Sequence, residues 1–172
     1  MVVDIFLKWW LQSGRYTWSR IYRRLFEARY LKYELPPVDS LENIKAMLDQ
    51  IRWTPDTILG LFDSVSYPEA TWVRKQDDCD GFSCLAAALI HSWRPEYKPA
   101  LLTVMVRPVK NSHTVCVFQE AQNKYRFFDN SVLRTESYGT WQQVAMAIKK
   151  NNDRLVCWDV TDPFRLETIE FH

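Results

Sequence analysis

The sequence predicts an α+β fold, with helices first and a mostly antiparallel sheet after them. Apolar residues recur at helical spacing up to about Trp93, and from Ala100 onward they gather in short runs rich in β-formers. The late runs are mostly joined by short polar turns, an order that belongs to α+β chains and not to an alternating parallel sheet. Only four glycines are present, and no Gly-x-Gly-x-x-Gly or Walker A pattern occurs, which argues against a Gly-rich phosphate loop.

Residues 2–11 and 17–33 read as two helices separated by Ser13-Gly14. In the second, Trp18, Ile21, Tyr22, Leu25 and Phe26 form a stripe at i, i+3, i+4, i+7 and i+8. Arg20, Arg23, Arg24 and Glu27 lie mostly off it, so the expected packing is apolar face inward and basic face in solvent. Leu35-Pro36-Pro37 stops this helix. The expected organisation is a helical N-terminal extension over 1–38 and an α+β domain over 39–172.

Asp39 with Glu42 resembles a capping box that opens a third helix, with Leu41, Ile44, Leu48 and Ile51 as its buried stripe. Trp53-Thr54-Pro55 ends it, and the stretch to about Lys75 reads as a helical turn and loops around Pro55 and Pro68. Asp77-Asp78-Cys79-Asp80 opens the next helix, patterned by Phe82, Leu85, Ala86, Leu89 and Ile90 and ended before Pro95. Strands are expected over Ala100–Val106, Thr114–Phe118, Lys124–Phe128, Arg154–Val160 and Leu166–Phe171. Glu120–Asn123 turns the second into the third, and a helix over 140–150 carries Trp141, Val144, Ala145 and Ile148.

The 172 residues are 47% hydrophobic and 25% charged, an ordinary globular composition. A net charge of +1 excludes a whole-molecule electrostatic nucleic-acid binder, and no specific nucleic acid is expected. Charge is uneven, with Lys8, Arg15, Arg20, Arg23, Arg24, Arg29 and Lys32 against Asp4, Glu27 and Glu34 in the first 34 residues. That segment is also rich in aromatics (Trp9, Trp10, Tyr16, Trp18, Tyr22), so a protein partner docking on residues 1–34 is an expectation beside plain packing on the core. No stretch has the length of a transmembrane helix. The start has neither a basic region nor a small-residue cleavage site, so a cytoplasmic protein with reduced thiols is expected.

A thiol nucleophile needs an activated sulfur, an oriented base and donors for the oxyanion. Among Cys79, Cys84, Cys116 and Cys157, only Cys79 has a helix-start signature, and a helix N-terminus favours a thiolate. Of three histidines, His91 sits at the far end of the same helix and His172 ends the chain, leaving His113 at the start of a strand as the base. Asp129 ends the strand hairpin-paired to that one and is the expected orienter, with Asn130 as the alternative. Gln76 and Trp72, in the loop before Cys79, are weaker candidates for oxyanion support. Cys79-x4-Cys84 with His113-x2-Cys116 has the look of a zinc set, but five positions along a helix and three along a strand diverge. No metal or cofactor is expected, and Cys84 and Cys116 read as core.

Asp78-Cys79-Asp80 followed by Gly-Phe-Ser-Cys-Leu-Ala-Ala-Ala-Leu resembles the cysteine site of the transglutaminase-like superfamily. Ser112-His113-Thr-Val-Cys-Val-Phe resembles its His strand, and Arg126-Phe-Phe-Asp129-Asn-Ser its Asp strand. The resemblance spans roughly residues 72–131. It implies a papain-like core and thioester-mediated acyl transfer by Cys79, His113 and Asp129, from a protein or peptide substrate to water or an amine. The chain departs from the pattern in having Asp77 where a Gly is usual and Gly81 where an acid is often found. Asp77, Asp78 and Asp80 then crowd the thiol and oppose its ionisation, unless they cap the helix or meet Arg74 and Lys75. The alternative is a non-catalytic component of a larger assembly that keeps the fold, such as a phage virion, since small stand-alone domains of this kind resemble those of bacterial and phage genomes.

Overall fold

The computed structural model describes residues 2–55 and 64–172. The chain begins with one helical run, not two. Helix α1 (Val2–Trp9) passes through a π turn (Trp10–Gly14) into α2 (Arg15–Tyr22), and a second π turn (Arg23–Glu27) and a 3-10 turn (Ala28–Tyr30) complete it. Gly14 has helical angles, φ −65° and ψ −51°, so Ser13-Gly14 separates nothing.

The face turned to the core also differs from the expected one. Leu7, Leu11, Arg15, Ser19, Arg23 and Glu27 are buried at every fourth position. Ile21, Leu25 and Phe26 of the expected stripe are in solvent, Leu25 at 70% exposure. In a regular α-helix a four-residue step drifts by about 40° around the axis, and the two wide turns take up part of that drift. They keep the fourth-residue row on one face.

Helix α3 (Leu41–Leu48) is capped by Ser40, whose hydroxyl accepts from the Asn43 N–H at 3.1 Å. Asp39, expected as the cap, instead accepts from the Ser40 hydroxyl at 3.0 Å. The stretch expected to be a turn and loops is more ordered than that. Strand β1 (Arg52–Trp53) pairs in parallel with β2 (Gln76–Asp77), and α4 (Pro68–Arg74) carries proline in its first turn. The part of that stretch at 56–63 lies outside the described residues.

Helix α5 (Cys79–Trp93) is the central helix, and every residue from Asp80 to Ile90 is buried. Asp78 caps it, its carboxylate accepting from the N–H of Asp80 at 3.0 Å and of Gly81 at 3.4 Å. The strands that follow are β3 (Ala100–Arg107), β4 (His113–Ala121), β5 (Lys124–Asp129), β6 (Val132–Leu133), β7 (Arg154–Thr161) and β8 (Thr168–Phe171), with α6 (Trp141–Ile148) before β7. Among the described residues these six form one antiparallel sheet in the order β6-β5-β4-β3-β7-β8, which makes the protein α+β. Strand β6 has no counterpart in the expected elements. The last strand starts at Thr168 and not at Leu166, because Leu166 has φ 55° and turns the chain.

Alternation along the strands divides the core. Cys116 and Phe118 of β4 and Phe128 of β5 cluster with Leu85 and Leu89 of α5 and Ile44 of α3. Val115 and Val117 point to the other side, toward Val144 and Ala145 of α6. Leu7, Leu11 and Tyr16 of the N-terminal run cluster with Leu101, Met105 and Cys157 of the sheet.

Candidate active site

His113 opens β4 and Asp129 closes β5. The register pairs Cys116 with Phe128, and continuing it sets Asp129 opposite Val115, diagonal to His113 on the same face. His113 Nε2 and Asp129 Oδ1 are 2.8 Å apart. Arg134, just after β6, donates from Nη2 to the other carboxylate oxygen at 2.6 Å. These two contacts, the His113 hydrogen bond foremost, hold the Asp129 carboxyl down to about 2, against the opposing effect of burial. Asn130 follows at φ 53°, a left-handed position that Asn tolerates and that lets the chain turn into β6.

Cys79 is the first residue of α5, directly after the Asp78 cap. It is half-buried, whereas Cys84, Cys116 and Cys157 are buried. Burial pushes the Cys84 thiol up to about 11, the Cys157 thiol up to about 12, and the Cys116 thiol well above its usual value. The helix tip is fixed to the His113 strand by Ser83, whose hydroxyl lies 2.7 Å from the Cys79 carbonyl and 3.2 Å from that of Thr114.

The three carboxylates near the sulfur are each engaged by a partner. Asp77 accepts from the Thr71 hydroxyl at 2.7 Å and from Arg74 at 2.8 Å. Asp78 caps the helix. Asp80 is fully buried and paired with the equally buried Arg15 of α2. The crowding expected from sequence is therefore relieved, in part by a residue outside the stretch that resembles the superfamily. Lys75, the other expected partner, lies instead over the Trp72 ring.

No protein-family model matches this chain, and no curated protein matches it.

Cys79, His113, Asp129 and Asn130 line one cleft of about 600 Å³, a size suited to a side chain or small ligand. Gln76 and Trp72 do not line it. Gln76 accepts from Arg52 at 2.5 Å, and Trp72 packs against the core of α3 and α5. Trp53 of β1, Tyr138 and Ile148 of α6 give the cleft apolar walls that sequence reasoning missed. Arg134 was also missed, although a basic residue shortly after the Asp-Asn-Ser turn is a local signal. Arg15 gave no such signal, being 99 positions from Thr114, one of its hydrogen-bond partners. Among the described residues, no group of three or more His, Cys, Asp or Glu side chains is placed to hold a metal ion.

Proposed function

We propose that this protein is a thiol-dependent amide hydrolase or acyltransferase of the transglutaminase-like kind, with Cys79 as nucleophile, His113 as base and Asp129 as orienter. The observation that carries this is the 2.8 Å His113–Asp129 contact in the same cleft as Cys79, the one cysteine of four that is not buried. An ionised Asp129 accepting from Nε2–H leaves Nδ1 as the basic nitrogen. Nδ1 takes the Cys79 proton, and the thiolate attacks the amide carbonyl. The Cys79 backbone N–H at the helix tip contributes to holding the oxyanion. The imidazolium then returns the proton to the departing amine, and a thioester remains on the sulfur. Water or a second amine attacks that thioester and frees the thiol. A cysteine-bearing helix packed on an antiparallel sheet with His and Asp on adjacent strands supports a papain-like assignment of the core.

Iodoacetamide at neutral pH tests the reading. The Cys79→Ala chain should lose labelling and the Cys84→Ala chain should keep it; equal labelling of both would remove the thiol assignment.

A second reading is favoured by one observation. Ile21, Leu25 and Phe26 form an exposed apolar row flanked by the exposed cations Arg24, Arg29 and Lys32. This pattern fits an acidic protein partner within a larger assembly. Deleting the segment is a poor test, because Arg15 and Arg23 are part of the core. Leu25→Ser with Phe26→Ser should instead reduce the assembly size seen by light scattering, and an unchanged size removes the partner.

A further inference from the structure

One buried guanidinium joins the Cys79 helix tip to the His113 strand from behind. Arg15 pairs with the Asp80 carboxylate and donates from Nη1 to Thr103 Oγ1 at 2.9 Å and from Nη2 to Thr114 Oγ1 at 3.2 Å. Asp80 directly follows Cys79, and Thr114 directly follows His113. We propose that Arg15 is a positioning residue for the candidate site: it fixes the helix tip against the strand and cancels the Asp80 charge beside the thiol. The proposal rests on Cys79 being the nucleophile.

The chemistry requires arginine. A planar fork reaches acceptors on α5, β3 and β4 together, which a single ammonium does not. The charge also matters. Asp80 Oδ1 is 3.9 Å from Cys79 Sγ, and an uncompensated buried carboxylate at that range opposes a thiolate.

Other charges facing the thiol come from several elements. Asp78 caps the helix that Cys79 begins, with Asp77 just before it. His113 and Asp129 come from β4 and β5, with Arg134 on Asp129. Lys110, Glu136 and Lys150 line the cleft. Behind the pair, Asp159 of β7 interacts electrostatically with both Arg15 and Asp80. All of these remain in the Arg15 and Asp80 variants that follow.

The test is the rate of Cys79 alkylation by iodoacetamide in the full chain, followed by mass of the Cys79 peptide across a pH series. Arg15→Met should move the alkylation midpoint up by about one pH unit, which is about tenfold slower labelling at neutral pH. Arg15→Lys, which keeps the charge but not the three-way fork, should restore only part of the shift, and adding Asp80→Asn to Arg15→Met should return the midpoint toward wild type. A natively folded Arg15→Met chain with the wild-type midpoint overturns the proposal. So does a double variant that stays with the single one, since the role would then be packing. Should Arg15→Met fail to fold by circular dichroism, Asp80→Asn alone decides: its midpoint should fall, and an unmoved midpoint overturns the proposal. His113→Ala separates the two readings. Alkylation indifferent to that change removes the Cys–His assignment, while the Arg15 series still reports on the pair.

Discussion

Gly81, in the first turn of α5, is a residue whose missing side chain is part of the site. A Cβ there would collide with the side chain of Asp77, which is held by Thr71 and Arg74. In an unencumbered helix Gly→Ala gains about 1 kcal/mol. Here the expected result of Gly81→Ala is a loss of about 1–3 kcal/mol, seen as a lower urea midpoint. Cys79 alkylation should slow with it, because Asp77 precedes the cap. A gain in stability would mean that Asp77 swings aside at no cost. The same residues mark the limit of what sequence discloses. The helix start and the Cys, His and Asp candidates were legible from capping chemistry, period and chain order. The destinations of Asp77, Asp78 and Asp80 were only partly legible, because Arg74 is close in the chain while Arg15 arrives from a distant helix. Three acids around Cys79 showed their number but not which partners engage them.

At the scale of elements, the N-terminal run reverses the usual logic of an amphipathic helix. Four of the six residues in its buried row are polar, and the reason lies in what it covers. Residues 64–67 and the turn at Pro163 have no regular structure, so their backbone groups need partners from elsewhere. Ser19 accepts from the Val65 N–H at 3.0 Å, and Glu27 from the Tyr67 N–H at 2.8 Å. Arg23 donates to the carbonyls of Val65 at 2.7 Å and Ser66 at 2.8 Å, and it also contacts Pro163. Apolar periodicity in the sequence registers none of this, since it assumes that burial follows hydrophobicity. It served α3, α5 and the long strands because those pack on apolar neighbours. The contrast gives a paired prediction. Arg23→Leu, hydrophobic but stranding buried carbonyls, should cost at least about 2 kcal/mol. Leu25→Ser, two positions away and exposed, should stay within about 0.5 kcal/mol. Chemical denaturation of the two chains measures both, and a reversed order would reject the inside-out assignment of this helix.

At the scale of the whole molecule, the junction between the N-terminal run and the sheet is a buried polar layer, and it sets a pH dependence. Asp159 of β7 is fully buried, accepting from the Tyr16 hydroxyl at 2.7 Å and from Thr161 at 3.1 Å. Burial outweighs these donors and the nearby Arg15 charge, and raises its carboxyl from 3.8 to about 7. The folded chain therefore keeps a proton that the unfolded chain releases near pH 4. Unfolded Asp159 binds fewer protons across that window, so its contribution to stability is full below about pH 4 and is lost as pH rises toward about 7. Glu27, also raised by burial, has the same sign. Asp129 has the opposite one: lowered to about 2, it adds stability above about pH 4 that is lost as pH falls through about 2. The two windows meet near pH 4 and do not overlap, so they are separable by mutation. Asp159→Asn keeps an acceptor for Tyr16 and removes the titration. Its Tm should fall less steeply than that of the unaltered chain between about pH 5 and about pH 7, while the acid limb set by Asp129 stays where it was. Thermal unfolding across a pH series decides this. An unchanged slope would mean that Asp159 is ionised in the folded protein throughout, and that Arg15 and Tyr16 outweigh its burial.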